Sequence, residues 1–208
     1  MHAPPSLYAI TAPELLPGER LFSAVAQALE GGCGWVQYRN KTLKHPAERL
    51  QQAERLQRIC AEQGAALIIN DDVALAQAVG AAGVHLGRED GSIQAARAAL
   101  GAAAIIGATC HDSLTFAAEA ISEGASYVAF GRFFPSTTKP QARPAPLALI
   151  KQAQALNTPV VVIGGINPHT LPLLKQAGAR CFAVCEAVFG GEDVLARCRV
   201  LRGLVEAI

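Results

Sequence analysis

Eight short apolar runs of β type, helical patterns between them, and glycines where helix-like stretches give way to the next run predict an α/β protein. The expected architecture is a single (β/α)8 TIM barrel with parallel strands, spanning residues 1–208 as one domain. At about 26 residues per strand–helix unit, the chain is near the minimum length for that fold. A doubly wound open sheet is the alternative.

Strands are expected near 7–11, 35–39, 66–70, 83–87, 105–110, 127–131, 159–164 and 181–185. These runs are rich in Val, Ile, Phe, Tyr and Ala and do not alternate cleanly with polar residues. Both faces should therefore be buried, as in a parallel sheet. The junctions read GGCGWVQYR (31–39), QGAALIIN (63–70), AAGVHLG (81–87), EGASYVAFG (123–131) and QAGARCFAVC (176–185). Glycine suits the left-handed position after a helix because it has no Cβ to clash. Between the runs, residues 112–123 place Leu114, Ala117, Ala118 and Ile121 on one helical face. Asn167 followed by Pro168 predicts a helix start, with Leu171 and Leu174 facing inward and Gly178 closing that helix. The last segment carries Val194, Cys198, Leu201, Val205 and Ile208 at helical spacing.

With 51% hydrophobic and 17% charged residues, the chain can bury a core and is not disordered in character. Eighteen basic residues against 17 acidic ones leave a net charge of +1, too little for a nucleic-acid-binding field. No apolar run reaches the roughly 18 residues of a membrane span. The start, Met1 to Leu7, lacks a signal-peptide pattern, so a cytoplasmic protein with no nucleic-acid or membrane partner is expected. The six cysteines form no C-x-x-C pair and read as buried reduced thiols.

Barrel enzymes carry their chemistry at the C-terminal strand ends. Here those ends hold Gln37, Arg39 and Lys41, then Asn70, Asp71 and Asp72, then Arg88, Glu89 and Asp90, then Thr109 and His111. After strand six come Arg132, Ser136, Thr137, Thr138 and Lys139, and after strands seven and eight come Gly164–Gly165 and Glu186. Asp71 and Asp90 follow adjacent strands. Two carboxylates with no soft ligand nearby suit a hard ion such as Mg²⁺. The other reading is that Asp71 or Asp72 caps the next helix and Asp90 closes a turn before Ser92. Arg39, Lys41 and Lys139 supply cations, and Ser136, Thr137 and Thr138 supply hydroxyls. Gly164–Gly165 would let a ligand approach the backbone, or is an ordinary tight turn; the helix expected at Asn167 adds an N-terminal dipole. Together these features suggest more than one phosphate group and a divalent ion. The long connection 132–146, with four prolines, reads as a lid carrying Lys139 or as a solvent loop. His85 reads as a hydrogen-bonded core residue, and His111 as either a cap or a substrate contact.

The segments LYAIT (7–11), VQYRNK (36–41), LIINDD (67–72), GVHLGREDG (83–91), GATCH (107–111), YVAFGRFFPSTTKP (127–140), VIGGI (162–166) and FAVCEAVF (182–189) carry a resemblance in their order along nearly the whole chain. Together they resemble the thiamine-phosphate synthase family. The resemblance implies a (β/α)8 transferase of thiamine biosynthesis, typically dimeric, so a homodimer is expected. Such an enzyme joins hydroxymethylpyrimidine diphosphate to a thiazole phosphate and releases pyrophosphate. Carried over by motif, Gln37, Arg39, Lys41, Asn70, Thr109 and Lys139 would bind the pyrimidine diphosphate, and Tyr38 and Asn40 would also bind substrate. Asp71 and Asp90 would bind Mg²⁺. Ser136, Thr137, Thr138, Gly165 and the Cys185–Glu186 backbone would bind the thiazole phosphate. Lys139, Arg39 and Lys41 would act catalytically by stabilising the leaving diphosphate.

The chain departs from the family pattern at Glu186, where a serine is usual, and at Asn40, Ala12, Thr109 and Cys181. Glu186 lies near the expected thiazole phosphate, so its carboxylate is expected to point away, toward Arg132 or Arg88. The alternatives are a thiazole tautomerase-like enzyme, which needs neither Mg²⁺ nor diphosphate, and a noncatalytic phosphate-ligand-binding barrel.

Overall fold

The computed structural model describes residues 4–135 and 144–207. Its strands are β1 (Leu7–Ile10), β2 (Trp35–Tyr38), β3 (Ala66–Asn70), β4 (Gly83–Leu86), β5 (Ile105–His111), β6 (Tyr127–Phe130), β7 (Val160–Ile163) and β8 (Cys181–Val184). Each pairs in parallel with the next in sequence, and β8 returns to β1, closing the barrel. The open-sheet alternative is thereby excluded. Around the strands lie α1 (Arg20–Glu30), α2 (Pro46–Glu62), α3 (Val73–Val79), α4 (Ile93–Leu100), α5 (Leu114–Ser122), α6 (Ala148–Ala153), α7 (Leu171–Gln176), α8 (Glu186–Phe189) and α9 (Val194–Glu206).

Successive strand residues point to opposite faces, which splits the core in two. Tyr8, Ile10, Trp35, Ile68, Ile105, Tyr127, Ala129, Val161, Cys181 and Ala183 form one cluster that fills the barrel. Val36, Leu67, Ile69, Val84, Ile106, Val128 and Val162 belong to the other cluster, which packs against the surrounding helices. That division explains why strands without polar alternation are buried on both sides.

Three local expectations need correction. Ala118 is exposed, and Ala120 takes its place beside Ala117 on the buried face of α5. In AAGVHLG, the helix is closed by Gly80 in a left-handed conformation (φ 62°), while Gly83 is already strand. Asn167 does not open a helix directly. Its Oδ1 accepts from the backbone of His169 (2.9 Å) and Thr170 (3.1 Å), and α7 begins later, at Leu171. Leu171 and Leu174 do face inward, fully buried. In α9, Val194, Cys198 and Leu201 are buried and Val205 is half-buried, whereas Ile208 lies outside the described residues. All six cysteines are free thiols, with Cys185 half-buried and the other five buried. Among the described residues, no helix is long and apolar enough to cross a membrane.

Candidate active site

The ends of β2, β3 and β4 bring the charged residues together. Asp71 follows β3 with φ 66°, a left-handed conformation that Asp tolerates better than most residues. Its Oδ2 accepts from Asn70 Nδ2 at 2.6 Å and lies 2.9 Å from Lys41 Nζ. Asp90, after β4, faces the same carboxylate. Loss of water and the hydrogen bond and charge of Asp71 hold its pKa above the ordinary carboxylate range, against the pull of Lys41 and the Gly87 N–H. Asp90 Oδ2 also accepts from that Gly87 N–H at 3.0 Å, so this residue both closes its turn and meets Asp71.

The neighbouring acids divide the work. Asp72 is the cap of α3, its Oδ1 accepting from Leu75 N at 2.8 Å while Oδ2 lies 3.2 Å from Arg49 Nη2. Ser92 caps α4. Asp71 is therefore left for the rim. An adjacent cavity of about 760 Å³ is lined by Lys41, Lys44, Arg49, Asn70, Asp71 and Asp90, among others. Arg49 lines it although no sequence motif singled it out.

Asp71 and Asp90 fit Mg²⁺ as a pair. No cluster of three or more His, Cys, Asp or Glu side chains suited to a metal occurs among the described residues. Mg²⁺ commonly takes only one or two protein carboxylates, completing its shell with water and substrate phosphate. Asp71 Oδ2 already receives a cation, the Lys41 ammonium.

The loop after β2 is organised by its own side chains. Asn40 Oδ1 accepts from Leu43 N at 3.0 Å, and Asn40 Nδ2 and the Tyr38 hydroxyl both donate to Gln52 Oε1 on α2. The Tyr38 phenol is buried, and its pKa is pushed up to about 12 mainly by loss of water. Arg39 is held through its backbone, whose N–H donates to Thr11 Oγ1 at 2.9 Å.

Gln37 and Thr109 lie deeper. Gln37 is buried, and its Nε2 donates to the Tyr8 hydroxyl at 2.8 Å. The Tyr8 and Tyr127 hydroxyls are 3.0 Å apart. Tyr127 Oη lies 2.8 Å from His85 Nδ1, and His85 Nε2 lies 2.8 Å from Thr109 Oγ1. His85 is thus the hydrogen-bonded core residue expected. Tyr8 and Tyr127 had no sequence signal beyond their place in apolar strands. His111 ends β5 exposed with φ 53°, and the cap of α5 is Ser113 rather than His111.

On the far side, Gly164 (φ 99°) and Gly165 (φ 66°) let the chain's own backbone come close. A Cβ on Gly165 would lie 2.5 Å from Pro135 O and 2.6 Å from Phe134 Cβ. Phe133 N donates to Ile163 O, and Phe134 N donates to Gly164 O, at 3.2 and 3.1 Å. The pair thus seats the segment after β6. Ala145 N donates to Arg132 O at 2.7 Å, tying the two ends of the 132–146 connection together. Ser136, Thr137, Thr138 and Lys139 lie outside the described residues. Cys185 precedes α8, and Glu186 is exposed at its first position. Arg88, one of the two expected neighbours of Glu186, lies over the Phe116 ring at 3.7 Å.

These features define a (β/α)8 barrel whose mouth gathers acidic and basic side chains beside a polar cavity. A family model for thiamine monophosphate synthase matches residues 7–188. The chain belongs to that family. It is 51% identical to a thiamine-phosphate synthase of Alcanivorax borkumensis over 93% of this chain and 89% of that one. It is 49% identical to a thiamine-phosphate synthase of Saccharophagus degradans over 98% and 94% of the two chains. A thiamine phosphate pyrophosphorylase structure from Pyrococcus furiosus superposes with a TM-score of 0.87 at 36% identity, over 97% of this chain and 95% of that one.

Proposed function

We propose that this protein is a thiamine-phosphate synthase that joins hydroxymethylpyrimidine diphosphate to thiazole phosphate and releases pyrophosphate. The observation that carries the reading is the meeting of Lys41, Asp71 and Asp90 at adjacent strand ends beside a polar cavity. Neither a tautomerase nor a simple phosphate binder needs paired carboxylates and a lysine at that place.

The chemistry asks for stabilisation of a leaving diphosphate. Asp71 and Asp90 would hold Mg²⁺, which supplies positive charge to the diphosphate oxygens when bound. Lys41, Arg39 and Lys139 contribute further cationic charge where negative charge develops. Gln37, Tyr38, Asn40, Asn70 and Thr109 bind and orient the pyrimidine diphosphate. Ser136, Thr137, Thr138, Gly165 and the backbone at Cys185 and Glu186 hold the thiazole phosphate. Once the leaving group departs, the pyrimidine cation must be kept from water, so the barrel's main tasks are positioning and exclusion. The proposal takes the protein to act in the cytoplasm as a homodimer.

A pyrophosphate-release assay with each substrate alone, both together, and with or without Mg²⁺ tests this. Release should require both substrates and the ion. Isomerisation of the thiazole alone would favour the tautomerase, and tight binding without turnover the noncatalytic barrel. Lys139→Ala should lower the single-turnover rate roughly a hundredfold.

A further inference from the structure

Two cysteines that the proposed reaction does not use meet at the end of the barrel opposite the charged mouth. Cys33 lies just before β2 and Cys198 within α9. They are 165 residues apart in sequence, yet their sulfurs are 3.9 Å apart, and both side chains are buried. The backbone fixes each partner. Cys33 N donates to Ala28 O at 3.0 Å and Gly32 N donates to Leu29 O at 2.9 Å, which closes α1 with Gly32 at φ 108°. Cys198 sits inside a 13-residue helix that packs on α1.

A second observation explains the closeness. A Cβ on Gly31 would lie 2.3 Å from Cys198 Cβ and 3.3 Å from Leu195 O, so only glycine lets α9 come this near. At Gly32 a Cβ would lie 2.6 Å from Arg202 Cδ. Residues 31–33 are thus pressed against one face of α9, formed by Leu195, Cys198 and Arg202. Closing the sulfurs from 3.9 Å to a disulfide bond of about 2.05 Å asks about 1 Å of each. A cavity of about 270 Å³, lined by Ser6, Leu7, Gly32, Arg202, Val205 and Glu206, begins one residue from Cys33 and one helical turn from Cys198. It has room for a small oxidant.

The thiols also differ in acidity. Burial pushes Cys60, Cys110 and Cys185 up to about 12 and raises Cys181 as well, so those four keep their protons. At Cys198 the hydrogen bond with Cys33 lowers the pKa below the ordinary thiol value, against burial and with help from Arg197. The same bond, together with burial, raises Cys33. Cys198 is the sulfur that ionises first, with a protonated thiol beside it.

We infer that Cys33 and Cys198 form an oxidation site at which hydrogen peroxide converts the two thiols to a disulfide, tying the last helix to the turn after α1. The Cys198 thiolate attacks one peroxide oxygen, the O–O bond breaks, and the departing hydroxide takes up a proton and leaves as water. Cys198 is then a sulfenic acid, oxidised by two electrons. The Cys33 sulfur attacks it, the S–S bond forms, the S–O bond breaks, and the oxygen leaves as water with the Cys33 proton. Two thiols and one peroxide give one disulfide and two waters. The link encloses β2 to β8 in one covalent loop and so restricts the unfolded chain. It lies away from the mouth, and the inference holds whatever reaction the mouth performs.

The test treats the unaltered protein with hydrogen peroxide under native conditions and reads intact mass, peptides mapped without reductant, and the thermal midpoint. The protein should lose about 2 Da, and the linked peptides should be those of Cys33 and Cys198. The midpoint should rise by about 5 °C or more and return on adding a thiol reductant. Cys33→Ala should show no link and carry a sulfenic acid that dimedone traps at Cys198. Cys198→Ala should show neither link nor stabilisation. A link between other cysteines, a pair that stays reduced while Cys185 oxidises, or a linked protein with an unchanged midpoint would overturn the inference. If neither variant folds, the mass, map and midpoint of the unaltered protein decide it.

Discussion

At the rim, Lys41, Asp71 and Asp90 carry full charges beside water, with the Lys41 and Asp71 side chains 54% and 25% exposed. Beneath them, Gln37, Tyr8, Tyr127 and His85 are buried and Thr109 is half-buried, and hydrogen bonds link the five. The contrast follows the cost of desolvation. A buried charge is far more expensive than a buried hydroxyl whose bonds are all made. Charge therefore collects where water can complete its environment, and the interior keeps groups that can bond to one another. The rim should be replaceable with little loss of stability and great loss of rate, whereas overpacking the interior should fall first on stability.

The largest test is Asp71→Asn. It should reduce turnover roughly a hundredfold or more, since one such electrostatic contact contributes about 3 kcal/mol to the transition state. The half-exposed pair with Lys41 is worth under about 1 kcal/mol, so the thermal midpoint should hardly move. Turnover within twofold of the parent would remove the rim from the chemistry. Next comes Gly107→Ala, which forces a Cβ to 2.1 Å from Tyr127 Cζ. Overpacking of this kind costs about 1–3 kcal/mol, to be read from urea unfolding. Parent-like stability would show that the interior has slack.

Asp72→Ala sharpens the boundary between the two regions. Loss of the α3 cap should cost about 1 kcal/mol of stability, with a much smaller effect on rate than Asp71→Asn. Equal rate losses at the two positions would contradict the division drawn between them. The smallest effect is expected at Asp90. Folding raises its pKa above the ordinary 3.8, so the folded state holds that proton more tightly than the unfolded chain. The ionised carboxylate then disfavours folding, fully above the raised value and not at all below the unfolded one. Asp90→Asn should raise the midpoint of the metal-free protein at neutral pH, by under about 1 kcal/mol for an exposed group. The gain should vanish as the pH falls toward 3.8. A gain that persists in acid would rule out charge as its source.

Much of the rim was legible because it is local. Lys41, Asp71 and Asp90 each follow a β run by a residue or a few, and the topology carries strand ends to one face. Which of Asp71 and Asp72 caps the helix was not legible, because both are adjacent to its start and either carboxylate can reach a first-turn N–H. Asn167 misled for a related reason: an Asx turn and a helix cap share the same side-chain bonds. Tyr8 and Tyr127 were hidden by their setting, since a tyrosine in an apolar strand reads as packing until its hydroxyl partner is known.

The order of strands and helices and the residues gathered at the mouth were determined by the sequence itself. Hydrophobic runs, glycine stops and strand-end charges act over a few residues and need no distant partner. Only the closed barrel decided the interior. The Tyr8 and Tyr127 hydroxyls meet across 119 residues of chain, and His85 reaches Thr109 across 24. Such bonds depend on barrel closure and on which residue of each strand points inward. Those contacts form only when β8 returns to β1 and every inward side chain is brought into one small, dry volume.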